Sequence, residues 1–256
     1  MSALPNFSAH GGPSHRSAGS SSDLRSDPRQ RLIVALDVSS AAAAQKIVAA
    51  VGDSALTYKV GMQLYTAEGP QVVRDLVTSG REVFLDLKYH DIPNTVGAAV
   101  AEAAMLGVSM LTVHGAGGSK MLKAAVDAAK QRPGMMVLAI TVLTSLDANE
   151  LENIGLRGGV EETVVRLARI ALTSGCQGLV SSAREAAKLR AELGNAFALV
   201  TPGVRPAGSS VGDQVRVVTP AEAVAAGASH IVVGRPITDA ADPAAAAQAI
   251  LAQING

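Results

Sequence analysis

Residues 83–113, VFLDLKYHDIPNTVGAAVAEAAMLGVSMLTV, decide the fold. The run opens on a short apolar stretch, Val83–Leu87, of strand length. It then passes Pro93 and enters an Ala-rich helical stretch, Val96–Leu106, that stops at Gly107. A second short apolar run, Met110–Val113, follows at once. Strand, helix and strand in this order point to a parallel sheet, because parallel neighbours need a crossover between them.

The same alternation extends in both directions from Arg31 onward. The sequence predicts further strands at Leu32–Leu36, Leu56–Val60, Met136–Ile140, Gly178–Val180, Phe197–Val200 and Ile231–Val233. Between them Ala41–Val51, Gln71–Ser79, Lys120–Lys130, Glu161–Ser174, Arg184–Leu193 and Ala221–Ala226 have helical composition. Gly52, Gly80, Gly107, Gly175, Gly194 and Gly227 stand just past helix ends, where glycine tolerates the left-handed backbone. Thr219-Pro220-Ala221-Glu222 reads as a capping box with proline at the first helical position. Eight strands with helices between them predict a (β/α)8 TIM barrel. An open doubly wound sheet is the alternative, and the absence of a G-x-G-x-x-G turn after the first strand weighs against it.

The length, 256 residues, suits one such domain, and 48% hydrophobic residues supply a sizeable core. Residues 1–29 are rich in Ser, Gly, His, Asp and Arg and read as a disordered N-terminal extension, with the barrel domain spanning 30–256. Lys plus Arg number 22 and Asp plus Glu number 22, so the chain lacks the basic footprint of a nucleic-acid binder. With no Trp, three Tyr and three Phe it also lacks a base-stacking platform. Cys176 is the single cysteine and reads as an inert core residue. No apolar run is long enough to span a bilayer, and the first residues lack the layout of a secretory signal, so a cytoplasmic protein without a membrane partner is expected.

Polar residues gather at the ends of the predicted strands: Asp37, Lys59, Asp86, Lys88, His114, Thr141, Thr144, Ser181, Arg205 and Arg235. Barrel enzymes build their sites at this C-terminal rim. A charge at the end of an apolar strand needs a partner or a ligand. Asp86 and Lys88 are two apart and share a face of an extended strand. Asp91 follows on the loop, and Lys59 from the neighbouring strand completes an alternating Lys–Asp–Lys–Asp array. A structural salt-bridge cluster would explain a lone D-x-K; with Lys59 and Asp37 also at strand ends, a functional array is the better reading.

Pro202-Gly203-Val204-Arg205 and Gly234-Arg235 follow the last two strands, where barrels commonly hold a phosphate. The glycines admit close backbone approach and the arginines supply charge-assisted donors. The stretch from Gly203 to Val218 reads as a lid that brings Arg205 and Gln214 to the ligand. His114 reads as a hydrogen-bonded structural histidine. His90 beside Asp91 suggests a metal ligand, but no further ligands are evident, and no metal site is expected.

The run Asp86-Leu87-Lys88-Tyr89-His90-Asp91-Ile92-Pro93-Asn94-Thr95 resembles the signature of bacterial orotidine 5′-phosphate decarboxylases. The resemblance continues in Leu36-Asp37, Tyr58-Lys59-Val60-Gly61, Val142-Leu143-Thr144-Ser145, Thr201 to Pro206, Gly212-Asp213-Gln214 and Val233 to Pro236. It covers the chain from about Arg31 onward and leaves residues 1–29 unexplained. It implies a barrel homodimer that converts orotidine 5′-phosphate to UMP and CO2 in de novo pyrimidine biosynthesis, without metal or organic cofactor. It implies Lys88 as proton donor, with Asp86 beside the departing carboxylate and Lys59 and Asp91 completing the array. It further implies that Asp91 and Thr95 reach the partner's site, that Ile92 contacts substrate, and that Asp37 and Lys59 bind ribose hydroxyls. Thr144 and Ser145 would lie near the base, and Arg205, Gln214, Gly234 and Arg235 would hold the phosphate. Two other readings compete: a metal-dependent sugar-phosphate decarboxylase or aldolase with a similar D-x-K-x-x-D core, and a non-catalytic nucleotide-binding barrel.

Overall fold

The computed structural model describes residues 27–206 and 218–255. Its strands are β1 (Leu32–Ala35), β2 (Thr57–Gly61), β3 (Glu82–Tyr89), β4 (Met110–His114), β5 (Met136–Ile140), β6 (Gly178–Val180), β7 (Ala198–Thr201) and β8 (His230–Val233). They pair in chain order, all parallel, and β8 closes onto β1 through Leu32–Ile231, Ile33–Val232 and Val34–Val233. The fold is therefore the expected (β/α)8 barrel. An open sheet is excluded because β1 and β8 pair with each other rather than ending as edges.

The helices are α1 (Ala41–Val51), α2 (Met62–Glu68), α3 (Gln71–Thr78), α4 (Pro93–Met105), α5 (Gly118–Ala129), α6 (Ala148–Asn153), α7 (Val160–Thr173), α8 (Ala183–Leu193), α9 (Pro220–Ala225), α10 (Arg235–Thr238) and α11 (Pro243–Asn255). The six glycines expected at helix ends all have positive φ. The capping box at Thr219 and Glu222 forms, with Thr219 Oγ1 accepting from the Glu222 N–H and the Glu222 carboxylate accepting from Thr219. Helix α4 begins three residues earlier than the apolar pattern suggests, because Pro93 fits the first turn, where no amide hydrogen is needed.

Helices α2, α6, α10 and α11 were not singled out by the sequence pattern. The first three have four to seven residues, too few to show a period. Helix α11 does carry a signal, since Ala247, Ile250 and Ile254 are buried at helical spacing. The extension expected over residues 1–29 lies, up to residue 26, outside the described residues; a 3-10 turn at Pro28–Gln30 leads into β1.

Side-chain alternation splits the core in two. Ile33, Ala35, Phe84, Met110, Leu138, Ala198, Val200 and Val232 fill the barrel's interior. Residues of opposite parity, such as Val34, Tyr58, Val60, Leu85, Leu111 and Val233, pack outward with the helices in a larger cluster. The interior parity decides the site. On β3 it runs Phe84, Asp86, and on β4 Met110, Thr112, His114. The inner face therefore changes from apolar to polar on the way to the C-terminal rim.

Candidate active site at the C-terminal rim

Four charged side chains form a line across β1, β2 and β3. The Lys59 ammonium donates to Asp37 Oδ1 at 2.8 Å and lies 3.9 Å from Asp86 Oδ2. The Lys88 ammonium donates to both Asp86 oxygens, each at 3.0 Å. The order Asp37, Lys59, Asp86, Lys88 alternates in sign. Exposure falls inward, with the Asp37 side chain 59% exposed, Asp86 14% and Lys59 11%, while Lys88 keeps 28%. Burying charges to this depth is tolerable because each sits against an opposite charge.

Lys88 reaches this position through an irregular backbone. It is the single non-glycine residue with positive φ among the described residues, at φ 54. The β3–β4 register shifts between Leu85, opposite Leu111, and Tyr89, opposite Val113. A left-handed residue that is not glycine costs roughly 1–2 kcal/mol. Bulges of this kind redirect a side chain beside a site. The Lys88 N–H donates to Thr112 Oγ1 at 2.9 Å, and the Thr112 hydroxyl donates to Asp86 Oδ1 at 3.0 Å.

Thr112 and Gly61 were not singled out as site residues by sequence reasoning. The signal for Thr112 was its inward parity between Met110 and His114. Gly61 is in register with Asp86, and a Cβ there would fall 3.0 Å from Lys59 Nζ and 3.3 Å from Asp37 Oδ1. The glycine leaves the space that the ion pair occupies.

The remaining predicted residues lie around this line. Asp91 is not joined to it within one chain: its Oδ1 accepts from the Ile92 N–H at 2.6 Å, and no ion pair links it to Lys88 among the described residues. Residues 90–95 are all exposed, Ile92 by 65%. Thr144 is half-buried and Ser145 exposed in the connection from β5 to α6. Arg205 is buried beyond β7, its N–H donating to Val218 O at 2.9 Å. Gly234 caps α10 and Arg235 opens it, directly after β8. Gln214 and the body of the expected lid lie outside the described residues.

His114 accepts from the Ala116 N–H through Nδ1 at 3.2 Å and stacks on His90, ring centroids 4.9 Å apart. Burial, then His90 and Lys88, hold its pKa below the usual imidazole value, favouring the neutral ring that this acceptor role needs. No cluster of three His, Cys, Asp or Glu side chains suited to a metal occurs among the described residues. No described helix is long and apolar enough to cross a membrane.

A closed parallel barrel with a line of opposed charges at the C-terminal ends of its strands is the architecture of a barrel enzyme. Residues 30–250 match the model of the family described as Orotidine 5'-phosphate decarboxylase / HUMPS. The chain is 56% identical over 225 residues to a protein of Anaeromyxobacter sp. (strain K) named orotidine 5′-phosphate decarboxylase, covering 88% of this chain and 98% of that one. It is 54% identical over 228 residues to a protein of the same name from Afipia carboxidovorans, covering 89% and 96%. A crystal structure of orotidine 5′-phosphate decarboxylase from Lactobacillus acidophilus superposes with a TM-score of 0.79 at 41% identity, covering 88% of this chain and 99% of that one. The chain belongs to the Orotidine 5'-phosphate decarboxylase / HUMPS family.

Proposed function

We propose that this chain converts orotidine 5′-phosphate to UMP and CO2 in de novo pyrimidine biosynthesis, with no metal or organic cofactor taking part. The observation that carries the reading is the Lys88 ammonium held 3.0 Å from both oxygens of Asp86 at the barrel rim, with Lys59 beyond. The names of the relatives at about half identity favour this branch of the family over its sugar-phosphate members.

In the proposed step the bond between the pyrimidine ring and its carboxylate breaks. CO2 leaves and the electron pair stays on the ring carbon. An ammonium already fixed at that carbon lowers the energy of the developing negative charge without reorganisation. Lys88 then gives a proton to the carbon and regains one from solvent. Asp86 lies beside the substrate carboxylate, where like charges repel; electrostatic stabilisation by Lys88 contributes more to the rate than this repulsion does.

Asp37 and Lys59 bind ribose hydroxyls, and Thr144 and Ser145 lie near the base. Arg205, Gln214, Gly234 and Arg235 hold the phosphate, whose binding energy is spent on orientation. The protein acts as a homodimer in the cytoplasm, each subunit lending Asp91 and Thr95 to the other's site, and Ile92 contacts substrate. The exposure of residues 90–95 and the lack, among the described residues, of an ion pair between Asp91 and its own Lys88 support this sharing. The barrel domain, 30–256, follows the extension 1–29.

The test is loss of orotidine 5′-phosphate absorbance with purified protein before and after exhaustive chelation. Turnover that survives chelation is expected; absence of turnover, or its loss with the metal, overturns the reading. Lys88→Ala and Asp91→Ala subunits, each inactive alone, should recover activity when mixed. Proven heterodimers without activity would remove the shared site.

A further inference from the structure

We propose that Thr112 is a positioning residue: its hydroxyl locks the Asp86 carboxylate and the bulged backbone of Lys88 into one unit that sets where the Lys88 ammonium stands. The proposal rests on the function inferred above and adds to it a residue outside the charged line.

The contacts form a closed ring that starts and ends on Lys88. The Lys88 N–H donates to Thr112 Oγ1, the Thr112 hydroxyl donates to Asp86 Oδ1, and Asp86 accepts from the Lys88 ammonium. A hydroxyl has one proton and spare lone pairs, so it serves both neighbours at once. Its single proton is directed to a carboxylate oxygen, and its lone pair receives the amide.

The bulge makes this necessary. In an unbroken parallel ladder the amide of a β3 residue would find a carbonyl on β4. The register shift between Leu85 and Tyr89 interrupts that ladder, and the Thr112 side chain takes the carbonyl's place for Lys88. Thr112 is 0% exposed, so its hydroxyl is committed to these two partners and not to bulk solvent. A half-buried amide without a partner would relax toward regular backbone. That relaxation would swing the side chain of Lys88 away from its present direction. Asp86 is held from a second side, since the hydroxyl fixes Oδ1 while the ammonium bridges both oxygens.

Valine at 112 keeps the volume of threonine and removes both bonds, whereas serine keeps both. The full chain carrying Thr112→Val, Thr112→Ser or no change is assayed for kcat and KM on orotidine 5′-phosphate. Hydrogen exchange of the Lys88 amide is followed in parallel by NMR. Thr112→Val should lower kcat by about 100-fold with KM little changed, the size expected when a reacting group moves by about an ångström. Thr112→Ser should recover most of that loss, and the Lys88 amide should exchange faster in the valine variant than in the other two. If valine prevents folding, Thr112→Ala removes the same hydroxyl without the added methyl group. A folded hydroxyl-free variant with parental kcat, or a serine variant no better than valine, overturns the proposal. Absence of turnover in the unsubstituted protein would overturn the proposed function instead. In that event the exchange rates still decide whether Thr112 holds the bulge, and unchanged Lys88 protection without the hydroxyl overturns it.

Discussion

At the N-terminal end of the barrel, Arg31, Arg132 and Arg190 donate to backbone carbonyls: Ser229 O and Ala228 O, Val108 O, and Gly227 O with Phe197 O. At the C-terminal end, Lys59 and Lys88 donate to carboxylates. The arginines line a cavity of about 820 Å³ together with Met135, Met136 and Phe197. Each ties a loop between helix and strand to its neighbour, and the Arg190 guanidinium also lies 4.3 Å over the Phe197 ring. Their planar forks suit fixed carbonyls. The compact lysine ammoniums at the other end are surrounded by charge of opposite sign and retain some access to a ligand. The difference separates cations that hold the fold from the cations that the proposed reaction uses, at opposite ends of one barrel.

Substitutions that should separate the two ends test the contrast. Lys88→Ala at the rim should reduce turnover of orotidine 5′-phosphate by about 10³-fold or more, the combined scale of a lost proton donor and lost charge stabilisation, while nucleotide binding persists. Near-parental kcat in that variant would erase the distinction.

The floor of the barrel offers an acid-sensitive counterpart. His230 is buried beside Ser229, and burial, aided by Arg31, pushes its pKa down from 6.5 to about 4. Above pH 6.5 the imidazole is neutral in folded and unfolded chains alike, and stability does not depend on it. As pH falls from 6.5 toward 4, the unfolded chain takes up the proton while the fold does not, so stability declines. The full loss is about 3 kcal/mol. His230→Gln should flatten that part of a pH series of denaturant unfolding curves; an unaltered slope would assign the acid sensitivity elsewhere.

The smallest effect is expected for Arg190→Ala, which should lower unfolding free energy by about 2 kcal/mol through lost charged hydrogen bonds and ring contact. Its kcat should match the parent, as measured beside a thermal melt. A large kcat change with little stability change would join the two ends that the structure keeps apart.

The periods of the sequence carried the barrel and much of its rim. Strand-length apolar runs separated by Ala-rich stretches gave the strands, and their order followed because neighbours in sequence pair in space. Period-two reasoning put Asp86 and Lys88 on one face, and the two side chains do meet. It did not foresee the left-handed backbone at Lys88, whose amide donates to a threonine 24 positions away on another strand. Nor did it show that Asp91, close in sequence, would stand in solvent with its carboxylate on the Ile92 amide. Gly61 escaped for a related reason. Its importance is the volume it leaves for two side chains from β2 and the end of β1, and empty space has no sequence motif.

The positive φ of Lys88 sets stability against activity at a single position. Glycine would rest there without strain, so a ranking by backbone comfort alone would favour replacing this lysine, at the cost of leaving the Asp86 carboxylate without its nearer ammonium. An engineer ranking substitutions by thermal tolerance would meet the same temptation and trade away the ammonium on which the proposed reaction depends.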